Sequence, residues 1–489
     1  MKKCIAWCLV LLTLLPFAIG CRRRSAAVQS SESKEGQNAT EVSFDDEVPR
    51  DLKFGGRNFT ICCPGPDEWG IETFDCEELN SDSVNNAIYN RNQLLEERFD
   101  IRIDPFTLAD SDTFCSEYST YALSTDDCID LLAIAYYQSV RDMIMNDYIV
   151  PWNEVPYINM EKPWWNSNIN ESLSILGNTF LITGDVNWST MPQTAVCYFN
   201  KTLAAENKEI VGDLYQTVKN QEWTFNKCYT IAKQMTKDMN GDGVYDENDR
   251  FGCIQNTEVG VTGFVYAANY NTVALTDKGS QMQFTTDKMI DIIRYLYDLC
   301  CIDNISYVES FAFAYESKGI PLFCNNRALF CFDKLLFSET LRKEENNFGI
   351  IPYPKYDEGQ EKYATYADQW GLACALPCTA QNYERTGAIL EAMAALSRKL
   401  IRPAYYDKAL VNRNGRDDES AEMLDIIFDN VIYDFGISFC TDLSCIPAKT
   451  CVETKSTDIA SWYKAHENKM IINYEDLFYH VKSMYGVRK

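Results

Sequence analysis

Three short apolar segments, NFTICC (58–63), IRIDPF (101–106) and DLLAIA (130–135), decide the fold of this chain. The apolar residues of 83–99 and 111–124, which lie between these segments, recur at helical spacing. The resulting order of strand, helix, strand, helix and strand predicts a parallel sheet with helices on its faces. We therefore predict an α/β fold.

Length and composition restrict the function. The chain has 489 residues, which is enough for two or three domains. Its formal net charge of −26 would repel a phosphate backbone, so nucleic acid is not an expected partner. His466 and His480 are the only two histidines of the sequence, so a zinc enzyme built on several histidine ligands cannot be assembled.

Two loops follow predicted strands at the edge of the sheet where ligands bind. In open parallel sheets, ligands lie outside the carboxyl ends of the strands. The first loop carries Asp67, Glu68 and Trp69, and the second carries Tyr136 and Tyr137. We predict that these residues contact a ligand.

Further aromatic residues lie beside small and acidic residues. Trp188 precedes Ser189, and Trp370 follows Asp368. Aromatic rings cover the apolar faces of sugars, and carboxylates or hydroxyls bond to their hydroxyl groups. We therefore predict that these four residues also line a ligand site, with core packing as the alternative role of each aromatic ring.

The segment between these loops has two features with open interpretations. Trp164 and Trp165 follow Pro163, so they are either candidates for the same site or the brace of a loop. Residues 172–175 and 179–183 flank a Gly-Asn pair, which predicts a β-hairpin.

An acidic loop, residues 238–249, has the ligand spacing of a twelve-residue calcium loop. The predicted ligands are Asp238, Asn240, Asp242, Val244 (through its carbonyl), Asp246 and Asp249. Gly243 holds position six, where the chain must turn sharply, but Asp249 replaces the usual glutamate, which lowers the expected affinity. We expect a structural Ca²⁺ ion and no organic cofactor, with an unmetallated acidic turn as the alternative.

The first 50 residues are expected to direct and tether the protein. Residues 1–21 combine two lysines, an apolar run and small residues before Cys21, which predicts a signal peptide. The Ala-Ile-Gly-Cys ending resembles a bacterial lipobox, which implies lipidation (palmitate) at Cys21 and a place on the extracellular face of the cell membrane. An ordinary secretory signal with a chance cysteine is the alternative. Residues 22–50 are polar and are expected to form a flexible tether.

The cysteines do not indicate a metal or redox site. The chain has 20 cysteines but no Cys-x-x-Cys pair. Many of them lie in apolar segments, so we expect mostly unpaired core residues, with one or two disulfides left open.

Six segments, in the same order along the chain, resemble motifs of one protein family. They are Pro163–Trp165, Thr183–Asp185, Tyr198–Leu203, Trp223–Phe225, Phe323–Phe330 and Phe348–Lys355. Over most of the chain, the sequence resembles the family-1-like bacterial extracellular solute-binding proteins of ABC transporters, in the branch that includes maltodextrin-binding proteins. Asn326 stands where this family usually has glycine.

The resemblance implies a type II periplasmic-binding-protein-like fold, with two α/β lobes joined by a multi-strand hinge. The N-terminal lobe would contain residues 51–196 and 371–410, and the C-terminal lobe residues 197–370 and 411–489. The implied function is capture of a carbohydrate, expected to be an oligosaccharide, for the permease subunits of an ABC transporter. The protein would be a monomer without catalytic residues.

Three other functions remain open from the residues alone. They are a glycan-degrading enzyme with a carboxylate pair, a binding protein for a peptide or another polar solute, and a sensor or adhesin. Because 71 acidic residues form chance pairs throughout the chain, carboxylate proximity is weak support for the enzyme. Sugar binding without turnover would separate the binding protein from the enzyme.

Overall fold

In the computed structural model, residues 44–489 form one compact unit that contains two large sheets. The described residues are 43–65, 74–76, 79–108, 113–124, 127–136, 140–276, 279–309, 317–344, 346–368, 370–412, 415–439 and 446–488. Helices lie against each sheet, so the predicted two-lobed α/β fold is confirmed.

The first sheet defines the first lobe. Its strands, from one edge to the other, are β2 (Ile101–Leu108), β1 (Arg57–Pro64), β3 (Leu131–Ala135), β14 (Leu372–Pro377) and β4 (Ile149–Val150), with β5 (Leu181–Ile182) also beside β14. The three predicted strands pair in parallel, as Ile61 opposite Leu131 illustrates, and β14 joins them antiparallel from far along the chain. The predicted hairpin is present only around its turn, where Ile175 and Asn178 form an antiparallel bridge, because β5 pairs with β14 and not with 172–174.

The second sheet defines the second lobe. Its strands, in order, are β10 (Ser306–Glu309), β7 (Phe251–Asn256), β11 (Ala328–Lys334), β6 (Ala195–Asn200) and β12 (Phe348–Ile351). Since β7, β10 and β11 are parallel, their carboxyl ends meet at one edge of this sheet. Because β6 already begins at Ala195, the N-terminal lobe that we predicted, 51–196, runs two residues into the second sheet.

Short strand pairs complete the sheet structure. They are β8 (Val273–Thr276) with β9 (Gly279–Met282), β13 (Thr365–Tyr366) with β17 (Val431–Ile432), and β15 (Val411–Asn412) with β16 (Gly415–Arg416).

The helices of the first lobe cover its sheet or follow its strands. They are α1 (Ser83–Phe99), α2 (Phe114–Leu123), α3 (Val140–Met145), α4 (Ser167–Ser172) and α14 (Tyr383–Leu410). α1 begins where Asp82 accepts hydrogen bonds from the first free N–H groups, at 2.8 and 3.2 Å. α14 packs along α1, so a segment distant in sequence completes this lobe.

The remaining helices belong to the hinge, the second lobe and the C-terminal segment. They are α5 (Thr190–Gln193), α6 (Lys201–Glu206), α7 (Lys208–Val211), α8 (Leu214–Lys219), α9 (Phe225–Met235), α10 (Val259–Ala267), α11 (Asp287–Cys301), α12 (Gly319–Cys324), α13 (Ser338–Lys343), α15 (Asp418–Phe428), α16 (Phe435–Phe439), α17 (Ile446–Thr454) and α18 (Ile459–Tyr485). Among them, α15 packs on β12 and α8 of the second lobe.

The chain passes between the lobes along neighbouring segments. The first crossing is α5, and the second, residues 367–371, lies beside it, since the N–H of Asp368 donates to the carbonyl of Gln193 at 2.8 Å. The third follows the end of α14. These segments form the hinge.

The last helix, α18, touches both lobes. Trp462, in its first turn, lies 5.5 Å from Phe284, ring to ring, beside β9 of the second lobe. In its last turn, Tyr485 packs edge-on against Phe180 of the first lobe at 5.4 Å. The predicted C-terminal lobe includes 411–489, and this helix extends from that lobe to the first one. Its 27 residues extend roughly 40 Å, enough to reach across both lobes.

Many cysteines in the described part of the chain are buried, as expected for core residues. Within the same part, no helix has the length and apolar character needed to cross a bilayer.

Candidate ligand-binding cleft

The edge of the second sheet that faces the hinge carries a buried carboxylate. Asp333, near the end of β11, accepts hydrogen bonds from Asn256 Nδ2 at 3.0 Å and from the Lys334 N–H at 2.8 Å. Burial raises the pKa of Asp333 to about 7. The side chain is 8% exposed, so it lies just beneath the surface of this edge. The edge therefore presents a hydrogen-bonding group whose charge changes near neutral pH.

The predicted residue Asp368 lies at this same edge. It forms an ion pair with Lys334 Nζ, and both side chains are largely buried. The N–H of Gly371 donates to the Asp368 carbonyl at 3.0 Å, which closes a turn around half-buried Trp370. The second crossing of the hinge thus brings Asp368 beside Asp333 and Lys334.

Tyr136 follows β3 at the corresponding edge of the first sheet. Its ring stacks on Tyr433 with 3.8 Å between ring centroids, and its hydroxyl donates to the Ala367 carbonyl at 2.5 Å. The side chain is 1% exposed, so in this conformation the protein covers the ring. The two tyrosines join the first lobe to the hinge, and ligand contact by Tyr136 stays a prediction.

Trp188 and Ser189 lie within the first crossing. Both are buried, and the Leu372 N–H donates to Ser189 Oγ at 3.3 Å. Trp188 Nε1 has no hydrogen-bond partner among the described residues. These residues therefore belong to the hinge at the base of the cleft, and their contact with a ligand also stays a prediction.

The other predicted ligand residues, Asp67, Glu68, Trp69 and Tyr137, lie outside the described residues, as does Cys21.

Trp164 and Trp165 brace a loop of the first lobe, which is one of the two roles that the sequence left open for them. Their indole nitrogens donate to the two carboxylate oxygens of Glu391 at 3.1 and 2.7 Å. All three side chains are buried, and burial raises the pKa of Glu391 to about 7. This contact fixes the loop that precedes α4 onto α14.

The raised pKa of Glu391 predicts a pH-dependent stability. The folded state holds the proton more tightly than the unfolded state, so the free energy of unfolding should fall as pH rises from about 5 to about 7, by on the order of 2–3 kcal/mol. The Glu391→Gln variant should lose this part of the decline in urea titrations at pH 5, 6, 7 and 8. Glu384→Gln, on an exposed position of the same helix, is the matched control. An identical slope for Glu391→Gln and the control would contradict the prediction.

The acidic loop joins α9 to β7, as the sequence predicts for a loop between helix and strand. Asp238 accepts N–H groups from Gly241 and Gly243 at 2.6 and 2.9 Å, and Asp249 accepts those of Met239 and Asp246 at 2.8 and 3.0 Å. In the described part of the chain, no three carboxylate, thiol or imidazole side chains are placed to share a metal ion. The carboxylates are turned onto main-chain N–H groups, and the calcium site stays a prediction.

The carboxylates at the cleft edge have structural partners. Asp368 pairs with Lys334, and Glu309 accepts the N–H groups of Lys318 and Gly319 at 2.6 and 3.1 Å, where α12 begins. Asp333 is held by Asn256 and the main chain. The arrangement suits recognition of hydroxyl groups, since these partners hold the carboxylate oxygens, which are hydrogen-bond acceptors, at fixed positions.

Sequence reasoning missed Asn256, Asp333, Lys334 and Tyr433. The first three lie at the carboxyl ends of apolar strand segments, where ligands of parallel sheets bind. The same rule selected Tyr136. Applying that rule to 251–256 and 328–334 would have found them. No signal marks Tyr433, because an aromatic residue in the segment VIYDF is typical of a buried core.

Solved structures share the fold of this chain. The galacto-N-biose-/lacto-N-biose I-binding protein of the ABC transporter from Bifidobacterium longum, in complex with lacto-N-biose, has a TM-score of 0.56 at 12% identity, over 86% of this chain and 99% of that one. A cyclo/maltodextrin-binding protein complexed with maltotetraose has a TM-score of 0.54 at 10% identity, over 88% and 98%. The GacH receptor of Streptomyces glaucescens, solved unliganded and with acarbose, has a TM-score of 0.51 at 11% identity, over 86% and 99%.

These likenesses define the class of fold, that of two-lobed binding proteins. No family model matches the chain, and no curated protein sequence matches it.

Proposed function

We propose that this protein is an extracellular solute-binding lipoprotein that captures a carbohydrate, expected to be an oligosaccharide, for import by an ABC transporter. The observation that carries the proposal is the hinge-facing edge of the second sheet, where Asp333, Asn256 and the Lys334–Asp368 pair lie together. Carboxylate, amide and ammonium groups at fixed positions match the alternating donors and acceptors of a sugar ring.

An aromatic residue in the hinge supports a sugar over other polar solutes. Trp370 is half-buried there, whereas Tyr136 and Tyr433 are buried against each other at the edge of the first lobe. A partly exposed indole ring can stack on the C–H face of a sugar. The solved structures of the same fold include proteins in complex with lacto-N-biose and with maltotetraose, which agrees with this ligand class.

The proposed mechanism is hinge closure. A sugar that contacts Asp333 on one lobe and the chain beside Tyr136 on the other binds both only when the lobes are close. Such a ligand shifts the population toward the closed form by its difference in affinity for the two forms. The permease subunits of the transporter would then recognise the closed form.

The proposal includes attachment to the outer face of the membrane through lipidated Cys21, with 22–50 as the tether. Labelling cells with an alkyne-tagged palmitate would test it: the full chain should incorporate the label, and the Cys21→Ser variant should not. Equal labelling of both would remove the lipoprotein part of the proposal.

The proposal also includes a structural calcium ion in the loop 238–249. Calcium prefers oxygen ligands at flexible spacing, and two glycines with left-handed backbone, Gly241 at φ 76° and Gly243 at φ 77°, let the loop fold tightly. Binding would require the carboxylates to turn inward from their main-chain partners.

Calcium should therefore raise the melting temperature of the protein. At a concentration one hundred times the dissociation constant, the expected stabilisation is about 2.7 kcal/mol. Asp242→Asn keeps a side-chain oxygen for the Val244 N–H but removes one charge, so it should reduce the shift. Melting curves in calcium chloride, magnesium chloride and chelator measure the effect. An equal melting temperature of the wild type with and without calcium would contradict the calcium part of the proposal.

The decisive test of function is a binding and turnover assay. The purified protein is titrated with a panel of mono- and oligosaccharides by calorimetry, and each mixture is then analysed for released reducing ends. The proposal expects saturable binding of at least one oligosaccharide with no release, and Asp368→Ala should weaken that binding. Release of reducing ends would support the glycan-degrading enzyme, and binding of peptides alone would support the other solute class.

A further inference from the structure

A cavity lies between the lobes, apart from the cleft edge. Its volume is about 280 Å³, near the lower end of the range for small-molecule sites. One wall is the first lobe around α4 and Gly184, and the other is the end of α15 with Val431. Its base is the first crossing of the hinge, at Thr190 and Met191. None of Asn256, Asp333, Lys334 and Asp368 lines it.

The charged groups of this hinge cavity neutralise each other. Asp185 lies 3.1 Å from Arg398 and 3.7 Å from Arg402, and Arg402 lies 3.6 Å from Asp429. These are the four charged residues of the lining, two of each sign. A ligand with a net charge would therefore be buried without a counter-charge, which is costly. The cavity favours a neutral ligand.

The polar lining has an unused hydrogen-bonding group. Asn187 lines the cavity and is 1% exposed, and its Nδ2 has no hydrogen-bond partner among the described residues. A buried amide without a partner destabilises the protein, so a ligand or water that reaches it is favoured. Asn166, Ser167 and Thr183 add polar groups beside it.

Apolar surface completes the opposite wall. Phe428 and Val431 contribute apolar groups to the lining, and Phe428 is held by the Tyr406 ring at 5.7 Å and by Arg402 at 5.5 Å. A wall of this kind suits the C–H face of a ring whose hydroxyl groups point to the other side.

We propose that the hinge cavity is a second binding site, for a small neutral polyhydroxylated molecule of about monosaccharide size. The site is separate from the cleft and does not rest on the function proposed for it. Because its walls come from both lobes, occupancy of the hinge cavity and of the cleft would change each other's affinity by the same factor.

The test is a titration of the full chain with myo-inositol, a neutral cyclic polyol. Binding is measured by saturation-transfer NMR. The expected result is saturable binding that weakens by about tenfold or more in Ser167→Trp, since an indole from this exposed position fills the cavity. Ser167→Ala, at the same position, should bind as the wild type does. Asp333→Asn, in the cleft, should also leave this binding unchanged, and thermal melts confirm that each variant folds.

Two results would overturn the proposal. They are no saturable binding of myo-inositol, and binding that persists in Ser167→Trp. If that persistent binding is lost in Asp333→Asn, the polyol lies in the cleft. Saturable binding of acetate in place of myo-inositol would contradict the prediction of an uncharged ligand. The sugar titrations that test the cleft are independent of these myo-inositol measurements. Failure of one proposal therefore does not contradict the other.

Discussion

Replacing Arg385 with leucine should lower the free energy of unfolding by about 3–5 kcal/mol. Arg385, on α14, donates from Nε to Asp130 Oδ1 at 3.0 Å and from a terminal nitrogen to the same oxygen, and both side chains are almost fully buried. Asp130 also accepts the Thr60 N–H at 2.9 Å. Without the arginine, a buried carboxylate at the start of β3 would lose its counter-charge. Urea titration with circular dichroism measures the loss.

An exposed ion pair provides the control. Arg294 lies 3.8 Å from Asp291 on the surface of α11, with side chains 68% and 52% exposed, so Arg294→Leu should change stability by less than about 1 kcal/mol. The double variant Arg385→Leu/Asp130→Asn should recover part of the loss, because the uncompensated charge is gone. Equal stability of the Arg385 and Arg294 variants would show that the buried pair does not hold α14 to the sheet.

The sequence predicted those parts of the fold that depend on local patterns. The strands at 58–63, 101–106 and 130–135 were found within a few residues, because each is an apolar run bounded by helices or turns. The helix at 83–99 was found because its apolar residues repeat along one face.

Contacts between distant segments could not be found in this way. β14 pairs with β3 across more than two hundred residues, and nothing in either strand specifies that partner. For the same reason the hairpin was predicted too long, since its turn forms at Ile175 and Asn178 but β5 pairs with β14. The reach of α18 across both lobes depends on Phe180 and Phe284, which the helix sequence does not indicate.

The candidate site was predicted only in part. The rule of carboxyl ends selected Tyr136, and the position beside Trp370 selected Asp368, while contact of either residue with a ligand stays a prediction. Asp333 is one of 71 acidic residues, and only burial beside Asn256 distinguishes it. Burial and its effect on the pKa are properties of packing, which a single sequence does not contain.

Sugar affinity should depend on the charge of Asp333, and hence on pH. Its oxygens already accept N–H groups from Asn256 and Lys334, so the remaining lone pairs are acceptors for ligand hydroxyl groups, and these are strongest when the carboxylate is ionised. With a pKa raised to about 7, most of the group is protonated at pH 5. The affinity should therefore be greatest near pH 8 and fall below pH 7, by about tenfold for each unit if only the ionised form binds.

The Asp333→Asn variant should remove this pH dependence. An asparagine cannot ionise, so its affinity at pH 8 should match the weak affinity of the wild type at pH 5, up to about a hundredfold below the wild-type maximum. Glu358→Gln, on an exposed position of the second lobe, should keep the wild-type profile. Calorimetric titrations with the best ligand of the sugar panel, at pH 5, 6, 7 and 8, give the comparison. A pH-independent affinity of the wild type, or the same decline in Asp333→Asn, would mean that the ligand does not bond to this carboxylate. Residue 333 can make the affinity depend on pH only through ionisation of its carboxyl group.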